Sequence, residues 1–428
     1  MENGKVFIWM QLLGFDRDDP DRGAARYLDR VGFVPDGIAA LLFHMDFFLQ
    51  HRGMDREYTL PPDNCAYWGI PRNSERERQE WTNYDLRALS RALNAKGSGL
   101  YASVMGPVTG NAFHREWITD HPEVSLRWYV DKGGYNHFLL KRLRDGTYFE
   151  DFFIDQVCRA LTDYELRGIH LADGLCPPFG GMMSALDFSA DLVEQFLDHT
   201  GLVLPEEISA MDRDDEEARG LRGKYIYREL REEWIRFSAW RWEQFFRKLT
   251  TRVHALGKEV LALAAYCTDP FETLYCLGID LGGIVRAGVD YITTNILPTS
   301  VFVAGDGSRG DRFHRYMAIA PLTAAHLSDG HLVSMLGVQD ASEEWNVLRH
   351  APCRHERDVY SMTAYRVLGE NGSRRALSPS PPPCSGRSTP TKKCSGNISA
   401  HAAGRLISIS TRCPKRGRSA PPPSEARH

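Results

Sequence analysis

The chain has no long apolar run, no paired cysteines and no nucleotide fingerprint. None of its runs approaches the ~18 apolar residues a membrane-crossing helix needs. Its start, Met1-Glu-Asn-Gly-Lys, lacks the basic and apolar stretches of a secretory signal. The nine cysteines contain no CxxC, which argues against a structural zinc of that kind. The expectation is a reduced cytoplasmic protein with free thiols. GxGxxG and Walker A motifs are absent, so neither a dinucleotide nor a phosphate cradle is expected, and no cofactor is assigned.

Charge is scarce on average but unevenly placed. The total is −4, yet residues 373–428 hold eleven Lys/Arg against one acid, Glu425. That tail therefore carries +10 and residues 1–372 carry −14. An acidic body argues against nucleic acid as partner and suits neutral or cationic substrates. The tail also lacks Phe, Trp and Tyr, although the chain as a whole has 20, 9 and 17 of them. It cannot bury a core and reads as a disordered Pro/Ser/Arg-rich segment, foreign or frame-shifted in origin.

What is present is an alternation of strands and helices. Buried strands are expected at Val6–Gln11, Ile38–Asp46, Leu100–Met105, Gly168–Asp173, Val260–Cys267, Tyr291–Asn295 and His331–Val338. Helices are expected at Asp85–Leu93, over the Phe149–Tyr164 stripe, from about Ile226 to Leu256, and at Leu277–Ala287, Tyr316–Leu327 and Arg354–Leu368. In the long one, Trp234, Phe237, Trp240, Phe245, Leu249 and Val253 should face the sheet. Helix-to-strand links are short, while the links 47–84, 106–147 and 174–224 are long. One-sided elaboration points to sites at the strands' C-terminal ends, as in (β/α)8 and doubly wound folds. Without a glycine-rich first turn, the barrel is favoured: an α/β, (β/α)8 TIM-like barrel over residues 1–372 that lacks its eighth strand. Exposed edges at strands one and seven would then leave it marginally stable.

The strand ends supply the candidate chemistry. His44 and Asp46 end strand two and should share one strand face. His170 and Asp173 end strand four, Asp269 follows strand five, Asn295 ends strand six and Asp340 follows strand seven. Asp290 precedes its strand and is expected to be structural. Two converging carboxylates are what glycosidic cleavage requires. Aromatics after strands two and three, Trp68 and Trp81 first among them, are candidate sugar platforms, although large rings are usually at least partly core. A metal-dependent barrel hydrolase or isomerase using His44, Asp46, His170 and Asp173 is the competing reading, and a non-catalytic carbohydrate-binding barrel is the third.

The segments Phe43-His-Met-Asp46, Gly168-Ile-His-Leu-Ala-Asp-Gly174 and Asp187-Phe-Ser-Ala-Asp-Leu-Val-Glu-Gln-Phe-Leu-Asp-His-Thr-Gly201 resemble bacterial TIM-barrel glycoside hydrolases, including uncharacterised beta-galactosidase-like groups. The resemblance implies a catalytic Asp173, with Asp340 or Asp269 as second carboxylate. With Asp173 in that role, His44, Asp46, His170 and Asn295 at the other strand ends are expected as substrate-binding or orienting groups and Trp68 and Trp81 as platforms, for a carbohydrate substrate and with no metal assigned. The Asn-Glu pair that ends strand four in many retaining families is absent here.

Overall fold

The computed structural model describes residues 5–65, 79–105, 116–127, 137–172, 187–209, 213–264, 270–294, 302–303, 309–310, 312–327, 331–333, 366–368 and 374–376. A strand is found at each of the seven expected places. In chain order the elements are β1 (Phe7–Gln11), α1 (Ala24–Val31), β2 (Gly37–Phe43), α2 (Asp46–Leu49), α3 (Asn83–Ala95), β3 (Gly99–Val104), α4 (Glu116–Asp120), α5 (Phe149–Asp163) and β4 (Gly168–Leu171). Then come α6 (Ala190–Thr200), α7 (Glu216–Glu229), α8 (Arg231–Ala255), β5 (Glu259–Ala264), α9 (Pro270–Leu277), α10 (Leu281–Arg286) and β6 (Tyr291–Thr294). The last are β7 (Phe302–Val303), β8 (Arg309–Gly310), α11 (Arg312–Leu327), β9 (Leu332–Val333), β10 (Arg366–Leu368) and β11 (Arg374–Ala376).

Seven strands form one sheet in the order β1-β2-β3-β4-β5-β6-β9. Every neighbouring pair in it is parallel. Sequence order equals spatial order, as expected when each crossover turns the same way and lays its helix on the same face.

The sheet curls. The rings of Phe7 on β1 and Tyr291 on β6 lie 5.4 Å apart. Five strand spacings of about 4.8 Å would hold them roughly 24 Å apart in a flat sheet. Lys5, just before β1, also pairs with Glu259 of β5 at 3.8 Å. Alternation along the strands sorts the core accordingly. Phe7, Trp9, Ala39, Leu41, Tyr101, Ala172, Leu261, Leu263 and Val333 pack together inside the curl. Their alternates Ile8, Met10, Ile38, Ala40, Leu100, Ala102, Ile169, Leu171, Val260 and Ala262 pack outward among the helices. The result is a partial barrel with filled interior and a helical coat.

Local chemistry explains the elements. The capping box of Thr82 and Asp85 starts α3. Asp36 and Asp290, each just before a strand, perform one task twice. Asp36 Oδ2 accepts Val6 N–H at 2.8 Å, and Asp290 Oδ2 accepts Val260 N–H at 2.7 Å. Each carboxylate thus clips the start of its strand to the neighbouring one, which bears out a structural role for Asp290.

Several elements differ from expectation. The helix α1 was not read from the sequence, and it is only eight residues long, bounded by Gly23 and Gly32. The long helix breaks at Leu230 (φ −126°, ψ 30°) into α7 and α8. Trp240 is 40 % exposed and stacks on His199 at 3.9 Å instead of facing the sheet. The helix expected at Leu277–Ala287 begins only at Leu281, as α10; Leu277 instead ends a preceding helix, α9, and Gly278 at φ +66° follows it. Arg366–Leu368, expected to end a helix, pairs antiparallel with Arg374–Ala376, just past the composition seam. The rest of the expected tail lies outside the described residues. No described helix is long and apolar enough to cross a membrane.

Candidate active site at the strand C-terminal ends

The strand ends converge on one mouth of the curled sheet, and beneath it lies a small polar island. Ser103 and His170 are register partners on β3 and β4 and point inward with Tyr101 and Ala172. Ser103 Oγ lies 3.0 Å from His170 Nδ1. Trp9 meets the imidazole edge to face at 5.4 Å. His170 has no exposed surface, and burial pushes its pKa down to about 3. The ring is therefore neutral across the physiological range and cannot shuttle a proton there. Among the described residues neither His170 Nε2 nor Trp9 Nε1 has a hydrogen-bond partner.

β4 ends at Leu171, directly above this island. Among the described residues its last ladder contact is Ala172 N–H to Val104 carbonyl at 2.7 Å, and Ala172 faces the interior. Asp173 is the next residue in the chain. Asp173, Asp269, Asn295, Asp340 and Trp68 lie outside the described residues.

Two expectations for the second strand are corrected. His44 and Asp46 do not share a strand face, because β2 ends at Phe43 and Met45 is already helical (φ −57°, ψ −26°). Asp46 opens α2, where a carboxylate favours the helix N-terminus, and its Oδ1 accepts Gln50 Nε2 at 3.3 Å. Both residues are buried. Trp81 is 2 % exposed and packed in the outer core, so it offers no ring face to a sugar. Its backbone is paired as well: Trp81 carbonyl accepts Leu60 N–H at 2.7 Å. Among the described residues no group of three His, Cys, Asp or Glu is placed to hold a metal ion.

The walls around the mouth are fixed by buried charges that no local pattern announces. Asp187, fully buried, accepts Arg127 N–H at 2.6 Å and Ser189 N–H at 2.8 Å. Lys141 Nζ lies 3.3 Å from the same carboxylate and donates to Ser125 carbonyl at 3.0 Å. This one pair joins the loop after β3 to the segment entering α6. Arg241 of α8 repeats the theme, reaching Glu150 of α5 at 2.7 Å and Gln195 of α6 at 3.0 Å. In the Asp187-Phe-Ser motif the carboxylate is thus a brace, with Asp187 folding back on the backbone two residues ahead.

No family model matches this chain, and no curated protein matches it. Solved structures do align. A class V chitinase from Pseudomonas fluorescens Pf-5 aligns over 86% of this chain and 78% of its own, with 12% identity and a TM-score of 0.38. The spore cortex-lytic enzyme SleL of Bacillus cereus aligns over 87% and 64%, with 10% identity and a TM-score of 0.39. A maltogenic alpha-amylase, AmyB of Thermotoga neapolitana, aligns over 92% and 74%, with 10% identity and a TM-score of 0.41.

Proposed function

We propose that the chain is a glycoside hydrolase-like enzyme, cleaving glycosidic bonds with two carboxylates at the C-terminal mouth of the curled sheet. Asp173 is one of them; Asp340 is the first choice for its partner and Asp269 the second. One protonates the leaving oxygen, and the other attacks the sugar or activates water. The observation that carries this reading is the C-terminal end of β4. Ala172 still faces the interior and bonds to Val104, the next residue in the sequence is Asp173, and barrel enzymes draw their chemistry from residues at strand C-terminal ends. His170, buried and neutral, fits an orienting role beneath the mouth better than acid–base work. Asp46 and His44 support the loop that leaves β2, and Trp68 and Asn295 are assigned to substrate contact. No metal or cofactor takes part in this scheme.

The test is hydrolysis by the purified chain of a panel of aryl α- and β-glycosides, with and without a chelator. Turnover of at least one glycoside, unchanged by chelator, is the expected result. Turnover that the chelator abolishes would replace this reading with a metal-dependent hydrolase. A panel left wholly uncleaved would overturn it.

A further inference from the structure

An aromatic ladder stands at the same end of the sheet. α8 enters β5 through residues 256–258, so its other end, Arg231, stands at the strands' C-terminal side. α9 begins six residues after β5, also on that side. There Phe271 is 74 % exposed, and its ring lies parallel to Tyr275, 7° between planes and 6.0 Å between centres. Arg231 Nη1 reaches Tyr275 Oη at 3.3 Å, and its guanidinium sits 4.6 Å over the Tyr227 ring. The break at Leu230 makes this possible, since it separates Tyr227 and Arg231 onto two helices beside α9.

We infer that Phe271 and Tyr275 form a carbohydrate-stacking subsite at the rim of the mouth, with Arg231 and Tyr227 as its polar margin; this rests on the glycoside hydrolase reading. A sugar ring has an apolar C–H face and a border of hydroxyls. Parallel aromatic planes complement the face, while phenol and guanidinium donors complement the border. One strongly exposed ring beside a half-buried one falls well short of the several hundred Å² typical of a protein-binding patch. Five residues separate α9 from the end of β5, and Asp269 is the last of them. The subsite therefore takes sugar units lying beyond the cleaved bond and favours oligosaccharides over single glycosides.

Affinity electrophoresis of the full chain in native gels containing soluble starch, glycol chitin, laminarin or xylan tests the assignment. At least one polymer should retard the wild-type chain. Phe271→Ala should weaken that retention roughly three- to tenfold, the range expected for a lost aromatic stack, and Phe271→Trp should restore it. Phe271 is largely exposed, so the substitution leaves the fold intact. Equal retention of Phe271→Ala, or no retention by any polymer, would overturn the inference. So would concentration-dependent self-association that Phe271→Ala abolishes, which would make the patch a protein contact. Asp173→Asn should bind the polymer like wild type. If that variant also cleaves like wild type, the catalytic assignment fails while the platform stands.

Discussion

Lys141→Met isolates the brace that holds the mouth together. The Lys141 and Asp187 side chains are 3 % and 0 % exposed and 3.3 Å apart. Met fills nearly the same volume but leaves the Asp187 charge with the Arg127 and Ser189 N–H groups and the field of the Arg222 guanidinium, without its ammonium partner. Removing one partner of a buried ion pair costs about 3–5 kcal/mol, because the remaining charge stays desolvated. At roughly 2–3 °C per kcal/mol for a domain of this size, the thermal midpoint should drop by about 6–15 °C. Asp187→Asn should be similarly harmful, since it strands the ammonium instead. The double variant should be less unstable than the two single losses added together, because no lone charge remains. Urea or thermal unfolding of the four proteins closes the cycle. A Lys141→Met midpoint within about 2 °C of wild type, or plain additivity, would refute the reasoning.

Acidity should act through His170. The unfolded imidazole takes a proton near 6.5 and the folded one only near 3. Between those values the unfolded chain holds the extra proton, so stability falls as pH falls, by about 1.4 kcal/mol per unit at most. His170→Gln should flatten that dependence in urea unfolding between pH 4 and 6.5; an unchanged slope would show that other groups cause it. Gly168→Ala should destabilise by at least about 1–3 kcal/mol as overpacking. Its new Cβ would stand 2.2 Å from Glu259 carbonyl and 2.8 Å from the Tyr101 ring, where neither neighbour can retreat. A variant as soluble and heat-stable as wild type would contradict the tight closure seen there.

The strands were legible because each is a short apolar run entered through glycine or a carboxylate, as at Gly37, Gly99, Gly168 and Asp290. Period-two alternation even predicts which residues point inward, Trp9 and His170 among them. Depth was not legible. Trp81 looks like any loop tryptophan until pairing with Leu60 packs it into the outer core. Trp240 follows the helical period, yet the buried stripe of α8 runs through Trp234, Phe237, Arg241 and Phe245 and leaves it at the margin. Lys141 and Asp187 lie 46 residues apart, and nothing in either neighbourhood reveals the other. Phe271 is a lone ring at the start of a short helix, whereas the loops after strands two and three are rich in aromatics, of which Trp81 packs in the core. Periodicity reports which face a residue occupies; burial of charges and rings depends on what distant segments do above that face.

The most direct measurement is the rate of Asp173→Asn on whichever aryl glycoside the wild-type chain cleaves. The substitution removes one charge and almost no volume. If the Asp173 carboxylate acts in the transition state, kcat should fall by roughly two to four orders of magnitude with the thermal midpoint nearly unchanged. Turnover equal to wild type would contradict the assignment of the strand-four carboxylate, and with it the proposed chemistry at the mouth of the sheet.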